Sequence, residues 1–123
     1  MAARTPKDAH RLFVEAFNAA DLDALVALYE PEAVMIDDAG IVHGRQAIRH
    51  ALQGFLCARP RMELETKSVV QSGDLALLRA DWRIRGTAPD GKSFETSHHS
   101  SEVVRRQADD TWLYVIDHPF GAD

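Results

Sequence analysis

Cysteine is almost absent: Cys57 is the only one in 123 residues. No disulfide can form within the chain, which suits a reducing compartment. On the helix predicted around it, Cys57 reads as a small buried apolar residue, with no electropositive neighbour to make it a reactive thiol. No apolar run approaches membrane-spanning length, and the opening MAARTPKDAH lacks the apolar stretch of a signal peptide. The expectation is a soluble cytoplasmic protein without membrane contact. Positive charge is scarce too. Lys plus Arg is 14 against 19 Asp plus Glu, a net charge of −5. Nucleic-acid binding rewards clustered positive charge, and here acids interrupt or flank the basic residues, so that partner class is excluded. No Gly-rich phosphate loop and no Ser-His-Asp or Cys-His signature stands out.

What is present is enough apolar material, 46% of residues, for the core of one domain over 1–123. Pro6 and Asp8 open a helix whose Ala9, Leu12, Phe13, Ala16, Phe17 and Ala20 recur at helical spacing. Asp21 is an N-cap for a short second helix carrying Leu22, Leu25, Val26, Leu28 and Tyr29, which Pro31 stops. Ala33 to Ile36 reads as a strand and DDAG as a turn. A third helix runs from about Arg45 to Cys57 on Ala47, Ile48, Ala51, Leu52, Phe55 and Leu56. The second half is strand-like: RMELETKSVVQ, LALLRADWRIRG, KSFETSHHSSEVVRRQ and TWLYVID, separated by SGD, TAPDG and ADD turns. Helices first and an antiparallel meander after them predict an α+β fold, with helices on one face of a curved sheet. In LALLRADWRIRG, Ala76, Leu78, Ala80, Trp82 and Ile84 share one face, and Leu75, Leu77, Arg79, Asp81, Arg83 and Arg85 the other. Neither face is wholly polar, so one meets the helices and the other is expected to meet a second subunit.

The stretches NAADLDALVALYEPEAVMID, GRQAIRHAL, GDLALLRADWRIRGTAPDGKSFE and WLYVIDHPFG resemble the nuclear transport factor 2-like (NTF2-like) superfamily, and within it the SnoaL-like and ketosteroid-isomerase-like group. The resemblance implies a cone-shaped, cystatin-like fold, three N-terminal helices on a curved antiparallel sheet, a deep apolar pocket and commonly a homodimer. Phe13, Phe17, Trp82 and Tyr114 are the expected pocket-lining residues.

The resemblance also implies two alternative acid sets. In the first, the run YEPEAVMID puts Asp37 where the steroid isomerases carry their general base, and a carboxylate beside an apolar pocket becomes a better base near neutral pH. The polarising tyrosine of those enzymes falls on Phe13, which cannot donate a hydrogen bond. Their carboxylic-acid donor falls near Glu102. The second set resembles the limonene-type epoxide hydrolases: Arg79 and Asp81 two apart on one strand, with Asp117 on the last. It requires the Arg79 face to look into the cone and the Trp82 face to look outward. His98 and His99 leave opposite faces of a strand, and His98 lies about 13 Å from Glu102 along it, so a metal site is not expected. His98 remains a candidate acid–base group, since imidazole titrates near neutrality.

Two readings follow. One is an enzyme acting by acid–base chemistry without a cofactor on a small apolar ring or polyketide-like molecule, as isomerase, cyclase or hydratase. The other is a non-catalytic dimeric module that binds a ligand or associates with a protein.

Overall fold

A short second helix decides where the sheet begins. In the computed structural model, which describes residues 2–121, α1 (Asp8–Asn18) is followed by α2 (Leu22–Val26), capped by Asp21 Oδ1 accepting the Ala24 N–H at 3.1 Å. The helix ends at Val26, so Tyr29 belongs to β1 (Tyr29–Asp37) and not to the helix. Pro31, expected to stop a helix, sits inside this strand where its pairing is interrupted between Tyr29 and Val34, a place where a missing N–H costs no ladder bond. Arg45 donates from Nε (2.8 Å) and Nη2 (2.6 Å) to the Tyr29 carbonyl at the edge of this gap.

β2 (Gly40–His43) pairs back on β1, and α3 (Arg45–Leu56) follows. Thus the third helix lies between strands rather than in a single N-terminal block. Cys57 caps α3 and is exposed, not buried, because it falls past the last buried turn of Ile48 and Leu52. Then come β3 (Arg61–Ser72), β4 (Leu75–Thr87), β5 (Ser93–Arg106) and β6 (Trp112–His118). Gly73 and Gly91 take φ of 59° and 83° in the SGD and PDG turns, positions open to glycine at little cost.

The strand order is β2-β1-β6-β5-β4-β3. β3 to β6 form the expected antiparallel meander, but β1 pairs parallel with β6. The sheet is therefore mixed, not wholly antiparallel, because the first and last strands meet side by side. On β4 the face of Ala76, Leu78, Ala80, Trp82 and Ile84 is buried and faces the core. Leu25, Tyr29, Ile48, Leu78 and Val104 are fully inaccessible, each contributing roughly 1.5–3 kcal/mol of burial. The α1–β3 seam carries a polar clamp: the Asn18 side chain accepts from Met62 N–H (2.7 Å) and donates to the Met62 carbonyl (3.1 Å).

Candidate functional site

Between α1, α3 and the inner face of the sheet lies a cavity of about 50 Å³. Its walls are mainly apolar, with Phe13 and Phe17 from α1, Leu52 and Phe55 from α3, and Trp82 and Tyr114 from the sheet. Of the lining residues, Phe55, Leu64 and Pro119 are half-buried.

Polar groups from three elements enter this cavity: His10, Ser100, Glu102 and Asp117. Ser100 and Glu102 alternate regularly with Val104 on the inner face of β5. Asp117 arrives by a less regular route. Along β6, Tyr114 pairs with Val104 and Ile116 with Val103, so Val115 is an extra residue without a partner on β5. Such a bulge reverses the in–out phase of the strand beyond it. Tyr114 and Asp117, three apart, both point inward, while Ile116 is turned out to 39% exposure. Asp117 then stands opposite Glu102 across the β5–β6 ladder.

Each carboxylate has one partner among the described residues. The Tyr29 hydroxyl donates to Asp117 Oδ2 at 2.5 Å. Burial keeps both the Tyr29 and Tyr114 phenols well above their ordinary range, so Tyr29 remains a neutral donor. Asp117 is pushed up from 3.8 to about 7, first by burial and then by the charge of Glu102, with the Tyr29 hydrogen bond pulling the other way. Glu102 Oε1 lies 2.5 Å from His10 Nε2, a contact that needs a proton between the two atoms. His10 Nδ1 lies 2.8 Å from Thr66 Oγ1. The Ser100 hydroxyl is buried without a hydrogen-bond partner among the described residues. An acid that titrates near neutrality beside a second carboxylate can take up and release a proton at working pH.

The structure separates the residues named from sequence. Glu102 and Asp117 meet in the cavity, and Phe13, Phe17, Trp82 and Tyr114 line it. Asp37 does not reach it. Its Oδ1 accepts the Ala39 and Gly40 N–H groups at 2.9 and 3.1 Å, closing the β1–β2 turn. With Trp82 facing inward, Arg79 and Asp81 stand on the opposite face of β4. Asp81 Oδ1 bonds His99 Nδ1 at 2.6 Å there, so Arg79, Asp81 and Asp117 cannot form one site. His98 packs its ring 5.0 Å from Trp82 and 4.8 Å from Phe120 and is not part of the cavity wall. No group of three or more metal-ligating side chains occurs among the described residues.

His10, Tyr29 and Ser100 were not anticipated. His10 had a signal: with Phe13 and Phe17 it makes an i, i+3, i+7 row on α1.

The mixed sheet, its helical cover and the acid-bearing cavity define a protein of the NTF2-like, cystatin-like class. More narrowly, the SnoaL-like domain model matches residues 10–114, and the chain belongs to that family. Solved structures agree on the fold. A ketosteroid isomerase-like protein from Erwinia carotovora atroseptica superposes with a TM-score of 0.82 at 22% identity, over 91% of this chain and 89% of that one. A candidate dehydratase of the NTF2-like family from Streptomyces avermitilis gives 0.79 at 18%, over 91% and 90%. A candidate calcium/calmodulin-dependent protein kinase II association domain from Xanthomonas campestris gives 0.79 at 19%, over 89% and 79%. No curated protein matches the sequence.

Proposed function

We propose that the chain is an enzyme that moves protons on a small, mainly apolar molecule, with Glu102 and Asp117 as the acid–base pair. The observation that carries this is the convergence of two buried carboxylates on one aromatic-walled cavity, one of them titrating near 7. Asp117, oriented by Tyr29, holds its proton up to near neutrality and is the acid. Glu102, the charged carboxylate held against His10, is the complementary base. Proton abstraction and return at neighbouring atoms accomplish isomerisation, cyclisation or dehydration, and the cavity walls favour a ring or polyketide-like substrate. The isomerase-like and dehydratase neighbours are consistent with such chemistry. The test is a thermal-shift and turnover screen of cyclic ketones, lactones and epoxides. A hit whose turnover drops at least about a hundredfold in both Asp117→Asn and Glu102→Gln, with binding retained, supports the pair. Turnover indifferent to both substitutions removes it.

An outer-face feature supports a homodimer, and with it the second reading as an association module. Val70, Leu77, Val103, Ile116 and Val34 are successive cross-strand partners running across β3, β4, β5, β6 and β1. Val70, Leu77 and Ile116 are 62%, 42% and 39% exposed. An exposed aliphatic row of this kind suits a self-complementary contact with a second copy. Light scattering at tens of micromolar that finds only monomer would remove the dimer. A dimer that binds ring ligands and turns none of them over would favour the module.

A further inference from the structure

His10 stands in the wall between two spaces. Its ring lines the inner cavity, and the same residue lines a cleft on the outer side of the α1–β3 seam, with Lys7, Asp8, Arg11, Glu15 and Glu65 around it. The residue itself is only 3% exposed. Its two nitrogens are engaged in opposite directions, Nε2 with Glu102 on the cavity side and Nδ1 with Thr66 on the cleft side. Thr66 is half-buried and lines the outer cleft but not the cavity. It is also the last residue of β3 in regular register with β4 before the ladder slips between Thr66 and Ser68. Met62, Leu64 and Thr66 alternate along the helix-facing side of β3, and the slip ends that row at the hydroxyl.

From this arrangement we infer that Thr66 and His10 form a proton wire joining Glu102 to bulk water through the back wall, separate from the route by which a substrate enters. Inward transfer balances as follows. The Thr66 oxygen accepts a proton from cleft water and gives its own to His10 Nδ1, while His10 Nε2 gives its proton to the Glu102 carboxylate. Thr66 ends unchanged, the water is left as hydroxide for bulk water to neutralise, and His10 ends as the other neutral tautomer; the outward sequence, in which Glu102 returns its proton through His10 and Thr66, restores all of them. The wire lets Glu102 exchange its proton with bulk water while a ligand fills the cavity. On the cavity side the titratable groups facing this chain are Glu102, Asp117, Tyr29 and Tyr114, and on the cleft side those five charged residues. Its catalytic use rests on the acid–base reading above, but the wire itself does not need a substrate to be measured. Thr66 is a positioning residue throughout, since it reaches the cavity only through His10.

The experiment is solvent exchange of the His10 ring N–H, followed by water saturation transfer on the intact, 15N-histidine-labelled protein. Thr66→Val keeps the shape and removes the hydroxyl, and it should slow exchange at least tenfold. Thr66→Ser should restore it. Asn18→Ala weakens the other α1–β3 clamp and should leave the rate within twofold of the wild type. A rate unchanged in Thr66→Val, or altered as much by Asn18→Ala as by Thr66→Val, would overturn the wire. If Thr66→Val does not fold, the wild type decides: ring exchange no faster than that of the buried Leu78 and Val104 amides means access only by unfolding, which also overturns it. An intact wire with no turnover on any ring compound would sink the enzyme reading and leave this inference standing.

Discussion

Asp117→Asn should make this protein more stable at neutral pH, by an amount that follows from the raised titration of the buried carboxyl. The carboxyl titrates near 7 in the folded chain and at the ordinary 3.8 when unfolded. Three powers of ten in proton affinity correspond to about 4 kcal/mol. Its sign follows from proton counting. Between about pH 4 and about pH 7 the folded chain holds a proton on Asp117 that the unfolded chain has released, so wild-type stability falls as pH rises through that window. Below it the two states are protonated alike and the contribution vanishes. Above it the loss is complete and flat. Asparagine never ionises, and its carbonyl oxygen can still accept the Tyr29 hydroxyl, so the variant escapes this loss together with the repulsion from Glu102. Urea unfolding of both proteins at intervals from about pH 4 to about pH 8 reads the difference directly, since the other titrating groups largely cancel. The variant should gain on the wild type by about 4 kcal/mol across that range, equivalent to roughly 10–20 °C in Tm at the upper end. Any fixed cost of the new amide displaces the curve without changing its slope. Parallel pH profiles would refute the reasoning, because they would mean that Asp117 is not desolvated.

Three further outcomes follow from the same geometry. Tyr29→Phe removes the hydrogen bond that holds Asp117 down, so its titration, followed by carboxyl 13C NMR, should move upward from about 7. Asp37→Asn and Asp81→Asn change a turn and an exposed pair, so each should alter stability by less than about 1 kcal/mol and leave the Asp117 titration in place. Leu77→Lys puts a charge within the outer aliphatic row, and if the proposed homodimer uses that row, sedimentation should show it weakened at least about tenfold with the far-UV spectrum unchanged.

The fold was legible wherever local rules act alone. The α1 stripe from Ala9 to Phe17, the Asp21 cap, and the SGD and PDG turns each follow from short-range sterics and hydrogen bonding, and they lie where those rules put them, whereas Ala20, expected to continue the stripe, falls past the helix end at φ 54°. What escaped reading was non-local. Parallel pairing of β1 with β6 joins segments some eighty residues apart, as in Val34 with Ile116, and no periodicity announces it. The site was harder for a sharper reason. Strict alternation along WLYVID assigns Tyr114 and Asp117 to opposite faces, and only the unpaired Val115 brings them together. Family likeness singled out Asp117 beside Arg79 and Asp81, but the orientation of Trp82 disqualifies those companions. Asp37 drew attention as an acid ending an apolar run, yet two backbone N–H groups of its own turn account for it.

A single inserted residue on the last strand thus performs two exchanges at once. It trades an aliphatic side chain outward for an acidic one inward, so Ile116 joins the surface row at the same stroke that Asp117 joins the interior. Were Val115 instead paired in regular register with Val103, the strand beyond it would turn over, bringing Ile116 inside and sending Asp117 outside together. The acid lining the cavity and the aliphatic side chain on the far side of the sheet are in this sense placed by one device, the unpaired Val115.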